Sequence, residues 1–196
     1  VRKRIAFFDF DETITTRDSL IAIIRYIHGD FYFITGFAIL SPLLVGFKIG
    51  LINRQKAKER LLKFYFGGMD EVDFQKKCEA FSKKVLPNIL KKEAINKINW
   101  HRENQDEIIV VSASPENWLR TWCDEAGLKC ISTKLEVIDG KITGNIVGRN
   151  CYGAEKVRRI KECFDLSEYK EVYAYGDSKG DFEMLAMASL PFYRKF

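Results

Sequence analysis

Ile5-Ala6-Phe7-Phe8-Asp9-Phe10-Asp11-Glu12-Thr13 decides the reading of this chain, because an almost wholly apolar run ends abruptly in alternate carboxylates. A run that short, with no apolar residues continuing at helical spacing, predicts a strand buried on both faces over Ile5–Phe10. Such strands belong to parallel sheets covered by helices, and open α/β sheets bind ligands beyond the carboxyl ends of their strands. Asp9 and Asp11 stand at that edge. The pattern D-x-D-x-T arises by chance in roughly one chain of this length in 30, so a turn or capping role competes until a second signal joins it.

The second signal is Gly176-Asp177-Ser178-Lys179-Gly180-Asp181, which follows the apolar run Val172-Tyr173-Ala174-Tyr175. Its chance occurrence is on the order of one chain in several hundred. Four carboxylates converging on one sheet edge repel one another unless a cation neutralises them, and an all-oxygen donor set suits Mg²⁺. Asp9, Asp11, Asp177 and Asp181 are therefore the candidate metal residues.

Ile108-Ile109-Val110-Val111 predicts a third strand, leading into Ser112-Ala113-Ser114-Pro115. Pro115 suits the first position of a helix with Ser114 as its N-cap, Trp118, Leu119 and Trp122 follow at helical spacing, and Gly127 ends the helix. Further helices are expected over Gly153–Phe164 and Phe182–Ala188, and Asp139-Gly140 within Leu135–Gly144 predicts a hairpin with a type I′ turn. Strands alternating with helices give an α/β, doubly wound parallel sheet. Residues 18–87 carry helical periodicity and no strong strand signal, so they form a helical cap inserted after the first strand, between core segments 1–17 and 88–196.

The bulk properties agree with a folded catalytic domain. The chain has 196 residues, 46% hydrophobic and 30% charged, with four prolines, which excludes disorder. A net charge of +5 favours anionic partners, yet no nucleic-acid-binding motif is present and none is expected as a partner. Five scattered cysteines without C-x-x-C predict reduced thiols and a cytoplasmic site, and exclude a zinc centre. The short apolar stretch after Val1-Arg2-Lys3-Arg4 argues against a secretory leader.

The order D-x-D-x-T, a strand ending in Ser112, a lysine opening a helix at Gly153-Ala154-Glu155-Lys156-Val157, and G-D-S-x-x-D resembles the haloacid dehalogenase superfamily from Ile5 to about Pro191. The helical insertion and the Lys156 segment resemble its phosphoserine-phosphatase-like subgroup, subfamily IB. That resemblance implies a Rossmann-like core with a C1-type cap and a Mg²⁺-dependent phosphatase working through an aspartyl-phosphate. Asp9 is then the nucleophile and Asp11 the general acid and base. Mg²⁺ is held by the Asp9 carboxylate, the Asp11 carbonyl and Asp177, with Asp181 acting through water. Ser112 and Ala113 bind the phosphoryl group, and Lys156 offsets its charge. Considered alone, Ser112 reads as an N-cap and Lys156 as a solvated helix residue. Glu12 departs from the Gly or Ser common at its position, which usually points away from the chemistry, while Thr13 is expected to fix the loop.

The cap carries the substrate signal. From Phe31 to Ile52 the sole charge is Lys48, but a single membrane crossing there is excluded because it separates Asp9 from Asp177. Gly36, Pro42, Gly46 and Gly50 favour two short helices around Ser41-Pro42. These helices either pack as a cap core or expose an apolar face to the membrane interface, beside Arg54, Lys56, Lys58, Arg60 and Lys63. The layout resembles membrane-associated bacterial phosphatidylglycerophosphate phosphatases, which implies peripheral contact at the inner membrane face. A phosphoserine-type substrate instead requires an acid such as Asp18 and a cap cation such as Arg60. The substrate is thus a small or lipid-headgroup phosphomonoester; phosphotransfer to another acceptor and a non-catalytic binding module are the rivals.

Overall fold

The computed structural model describes residues 3–196, so the Val1 and Arg2 ends of the expected core segment and basic N-terminus lie outside the described residues. Along the chain run β1 (Lys3–Phe8), α1 (Ser19–Ile39), α2 (Ser41–Lys48), α3 (Arg54–Phe66), α4 (Glu71–Lys84), α5 (Lys92–Glu103), β2 (Glu107–Pro115) and α6 (Glu116–Glu125). They are followed by β3 (Lys129–Thr133), β4 (Leu135–Ile138), β5 (Lys141–Ile146), α7 (Ala154–Cys163), β6 (Tyr169–Gly176), α8 (Phe182–Met187) and β7 (Leu190–Tyr193). The main sheet has the order β3-β2-β1-β6-β7, and every neighbouring pair in it is parallel.

Alternation along the strands builds two cores, as a pleated sheet requires. Ile5, Phe7, Ile109, Val111, Val172 and Ala174 face Ile160 of α7 and Met184 and Leu185 of α8. Ala6, Phe8, Val110, Tyr173 and Tyr175 face the opposite way, toward Ile98 of α5, Trp118 of α6 and the cap residues Phe66, Phe74 and Phe81. The chain winds from β1 outward through β2 and β3, then crosses to β6 and β7 on the other side. The crevice at that reversal lies beyond the carboxyl ends of β1, β2 and β6.

The expected strands differ from the observed ones at their ends. β1 stops at Phe8, because the Asp9 amide makes its last sheet bond, to the Tyr175 carbonyl at 2.9 Å, and the chain then turns. β3 and β7 carry no clear sequence signal: Lys129-Cys130-Ile131-Ser132-Thr133 is short and polar, and β7 contains Pro191. Proline is tolerated there because β7 is an edge strand. The N-cap of α6 is Pro115, with no side-chain cap, and Ser114 is still in β2. The Ser114 hydroxyl is committed elsewhere, as described below.

Within the cap, the α1–α2 break falls at Leu40 and Pro42 sits in the first turn of α2. Gly29 (φ 81°, ψ 165°) interrupts α1 with a conformation only glycine adopts readily. The β4–β5 hairpin turns through Asp139 (φ 50°) and Gly140 (φ 70°), the paired positive angles of a type I′ turn. It lies against the cap, with the Gly68 amide donating to the Ile142 carbonyl and the Glu71 amide to the Gly140 carbonyl, both at 2.8 Å. α4 in turn meets α6, where Gln75 Nε2 donates to the Asn117 carbonyl at 3.2 Å.

Candidate active site

The turn after β1 is held by Thr15, whose hydroxyl accepts from the Glu12 amide at 3.1 Å and donates to the Arg17 carbonyl at 2.7 Å. Thr15 therefore does the loop-fixing expected of Thr13. Thr13 reaches across the crevice instead, its hydroxyl donating to Asp177 Oδ1 at 3.0 Å. Glu12 takes a left-handed φ of 59°, which accounts physically for a small residue being common at such a turn. It is exposed and contributes to the cavity lining.

Lys156 projects from α7 into the crevice and is almost fully buried. Its Nζ donates to Asp9 Oδ1 at 2.5 Å, to Asp181 Oδ1 at 2.7 Å and to the Val111 carbonyl at 2.7 Å, using all three of its protons. Burial opposes the ammonium charge, but Asp9 and Asp181 outweigh it and hold the pKa above the ordinary lysine range. Asp9 is pushed up to about 8, by burial above all, with Lys156 pulling it down and Asp181 and Asp11 adding to the rise. One lysine does not compensate this cluster of acids.

Asp181 is saturated. Its Oδ2 accepts from the Asp177 amide at 3.2 Å, the Ser178 amide at 3.0 Å and the Ser178 hydroxyl at 2.9 Å, while Oδ1 takes Lys156. The glycines of this loop are steric requirements: a Cβ on Gly176 lies 2.4 Å from Asp181 Cβ, and one on Gly180 lies 2.2 Å from the Tyr152 ring. Asp177 is half-buried, and burial raises its pKa. Carboxylate oxygens of Asp9, Asp177 and Asp181 lie within 4.8 Å of one another. These acids fit a hard divalent cation: the donors are all oxygen, burial disfavours the ionised forms of Asp9 and Asp177, and a cation restores them. Asp181, with both oxygens engaged, suits support of the metal shell better than direct ligation.

Asp11 faces the cap. Its Oδ1 accepts from the Ser19 amide at 2.6 Å and its Oδ2 from the Ser114 hydroxyl at 2.5 Å. Asp18 caps α1, accepting from the Leu20 amide at 2.8 Å, and its pKa rises to about 6 through burial and then the Asp11 charge.

Asp9, Asp11, Asp18, Asp177, Asp181 and Lys156 share one cavity of about 440 Å³ with Ala113. Two of the expected residues lie outside its lining. Ser112 is fully buried, its Oγ accepting from the Ser114 amide at 3.0 Å, and Ala113 and Ser114 line the cavity in its place. Arg60 is exposed and lies outside the lining, because the cavity face of α3 is set by Arg54, Ala57, Lys58 and Leu61. That i, i+3, i+4, i+7 spacing puts position 60 on another face of the helix. The spacing was available in the sequence, but which face turns inward was not.

The two cations on the cavity face of α3 have distinct settings. Lys58 Nζ donates to the Ala113 carbonyl at 2.6 Å and to Asn150 Oδ1 at 3.2 Å, tying the cap to the end of β2. Burial lowers its pKa to about 8 against the pull of Asp11 and Asp18. The Arg54 guanidinium lies 4.2 Å from the Tyr152 ring centre and 5.3 Å from that of Phe47. Among the described residues it forms no ion pair. The remaining wall, Leu20, Leu44, Phe47 and Leu61, is apolar.

Comparison with known proteins places these features in a family. The family model described as haloacid dehalogenase-like hydrolase matches residues 6–186. Protein CicA of Caulobacter vibrioides is 31% identical over 191 residues, which cover 96% of this chain and 85% of CicA. Among solved structures, a Bordetella pertussis Tohama I protein of unknown function superposes with a TM-score of 0.83 at 23% identity, covering 96% of this chain and 88% of that one. A substrate-bound phosphoserine phosphatase superposes with a TM-score of 0.67 at 20% identity, covering 98% and 86%. At those identities the two structures establish a common fold.

Proposed function

The chain belongs to the haloacid dehalogenase-like hydrolases, and on that premise we propose that it is a Mg²⁺-dependent phosphomonoester hydrolase working through an aspartyl-phosphate on Asp9. One observation carries the reading: a buried carboxylate at the end of β1 is gripped by Lys156 in a crevice it shares with Asp177, Asp181 and Asp11.

In the first step an Asp9 oxygen attacks phosphorus, the bond from phosphorus to the leaving oxygen breaks, and Asp11 protonates that oxygen. In the second, Asp11 takes a proton from water, which attacks the same phosphorus and displaces Asp9, releasing phosphate. Lys156, buried and charged, offsets the negative charge of the transferring group. Asp9, the Asp11 carbonyl and Asp177 would hold Mg²⁺, supported by Asp181, and the ion supplies charge neutralisation at the phosphoryl oxygens. The Ala113 and Ser114 end of β2 lies where the phosphoryl oxygens need donors, with Ser112 shaping that turn from below. Asp11 argues against dehalogenation, which has no leaving oxygen to protonate.

The cavity favours a substrate with an apolar body beside its phosphate. Leu20, Leu44, Phe47 and Leu61 suit such a body, and Arg54 and Lys58 suit a further anionic group. That apolar wall fits a phosphatidylglycerophosphate-like substrate better than phosphoserine. We place the reaction in the cytoplasm, in keeping with the free state of Cys78, Cys123, Cys130, Cys151 and Cys163.

Phosphate release from p-nitrophenyl phosphate, phosphoserine and phosphatidylglycerophosphate in mixed micelles, with Mg²⁺ or with EDTA, tests the reading. Turnover that requires Mg²⁺ and is lost in Asp9→Asn supports it. Turnover retained in Asp9→Asn refutes the covalent mechanism, and no hydrolysis of any of the three refutes the phosphatase assignment.

A further inference from the structure

The cap presents an apolar surface that hydrolysis by itself does not use. Gly29 divides α1 into a half with Ile23 and Ile24 buried and a half that packs one face inward through Phe33 and Gly36 and leaves the other exposed. Beyond the kink Phe31, Ile34 and Ile39 are 82%, 63% and 65% exposed, and Val45, Ile49 and Leu51 on α2 and the turn after it are 57%, 64% and 79% exposed. Scattered apolar residues on a surface are ordinary, but so many large ones on adjoining helices mark a contact surface.

The charges around the patch identify its partner. No acidic residue occurs from Phe31 to Lys58, whereas Lys48 lies within the apolar stretch and Arg54 and Lys56 follow it, all exposed. Among the described residues none of the three has an ion-pair partner. An apolar surface rimmed by cations complements an anionic bilayer, where side chains enter the acyl boundary and lysines meet headgroups. It is a poor self-complement, because a two-fold pair of copies sets the same cationic rim against itself. No single described helix is long and apolar enough to cross a membrane, and α1 and α2 are bent by 56° to one another, a shape suited to lying on one leaflet.

We infer that the second half of α1, α2 and the turn after it dock on an anionic lipid bilayer. The same helix α2 that exposes Val45 contributes Leu44 and Phe47 to the cavity wall, so docking brings the cavity mouth to the bilayer surface. The docking stands on the surface alone; delivery of a lipid phosphomonoester through that mouth rests on the phosphatase reading.

The experiment is flotation of the full chain with phosphatidylcholine vesicles and with vesicles in which about a third of the lipid is phosphatidylglycerol. The wild type is expected to float with the anionic vesicles and much less with the neutral ones. Ile34→Glu with Leu51→Glu is expected to lower binding at least tenfold, and Lys48→Gln with Lys56→Gln to remove the preference for anionic lipid. Phe31→Ser with Leu51→Ser, a milder pair at exposed positions, is expected to fall between. All variants should keep the wild-type circular dichroism and thermal midpoint. Failure of the wild type to float, or flotation unchanged in both apolar pairs, overturns the inference. So does a wild-type dimer that becomes monomeric in the apolar pairs without any vesicle binding, which assigns the surface to a second copy. Hydrolysis of p-nitrophenyl phosphate, measured in parallel without lipid, tests the phosphatase reading separately.

Discussion

Ser114 Oγ donates to Asp11 Oδ2 at 2.5 Å, at the end of a directed chain in which Trp118 Nε1 donates to Ser19 Oγ at 3.0 Å and Ser19 Oγ to Ser114 Oγ at 3.2 Å. Asp11, the proposed general acid, is thereby aimed by β2, α6 and the start of α1 together. Ser114 is a positioning residue. A hydrogen bond to a charged group is worth about 1.5–3 kcal/mol, so Ser114→Ala is expected to lower kcat roughly 10- to 100-fold. KM for p-nitrophenyl phosphate should change little, and Ser114→Thr should recover part of the rate. A variant with unchanged kcat assigns the contact to folding alone.

Lys156 stands between two buried carboxylates, so its removal leaves charge uncompensated. Lys156→Met is expected to destabilise the metal-free protein by about 3–5 kcal/mol. Urea unfolding reads this directly. Mg²⁺ should raise the midpoint of the wild type, because a ligand that binds only the folded state stabilises it. Asp177→Asn should lose that Mg²⁺ response.

Lys58 predicts a pH dependence of stability. Its folded pKa is lowered to about 8, against about 10.4 in an unfolded chain. Between these values the unfolded state binds more protons, so stability rises as pH rises through that window, and the cost of the buried charge is fully present below about pH 8. Allowing for partial solvent access to this side chain, the gain is about 1–2 kcal/mol. Lys58→Met should flatten this part of the profile. Parallel profiles for the two proteins contradict the burial of its charge.

Gly144 carries the contact between the hairpin and the cap. It has φ 86°, and a Cβ there lies 2.3 Å from Lys63 Cα, in the backbone of α3. Gly144→Ala is expected to cost about 2–4 kcal/mol, through strain at positive φ and displacement of the hairpin from the helix. Loss of less than about 1 kcal/mol in urea unfolding shows that the two elements separate without penalty.

Much of the core was legible in the sequence because its signals are local. Apolar runs mark β1, β2 and β6, and helical spacing marks α6 and α7. Asp139-Gly140 marks the hairpin turn, since its side chains dictate the backbone angles. β3 and β7 were not legible, because short edge strands owe their conformation to pairing with β2 and β6. Ser114 was misassigned for a related reason. A serine before a proline at a helix start reads as a cap, and only the proximity of Asp11 redirects its hydroxyl.

The sequence by itself determined the parallel α/β core and the acidic residues at its carboxyl edge, because strand period, turn chemistry and motif spacing act between near neighbours. Only the tertiary structure decided that Lys156 links Asp9 to Asp181, that Arg54 and Lys58 rather than Arg60 face the cavity, and that one face of the far half of α1 is left uncovered. Those outcomes depend on the direction in which whole helices pack on the sheet. That direction is set by contacts between residues distant in the chain, which no local pattern encodes.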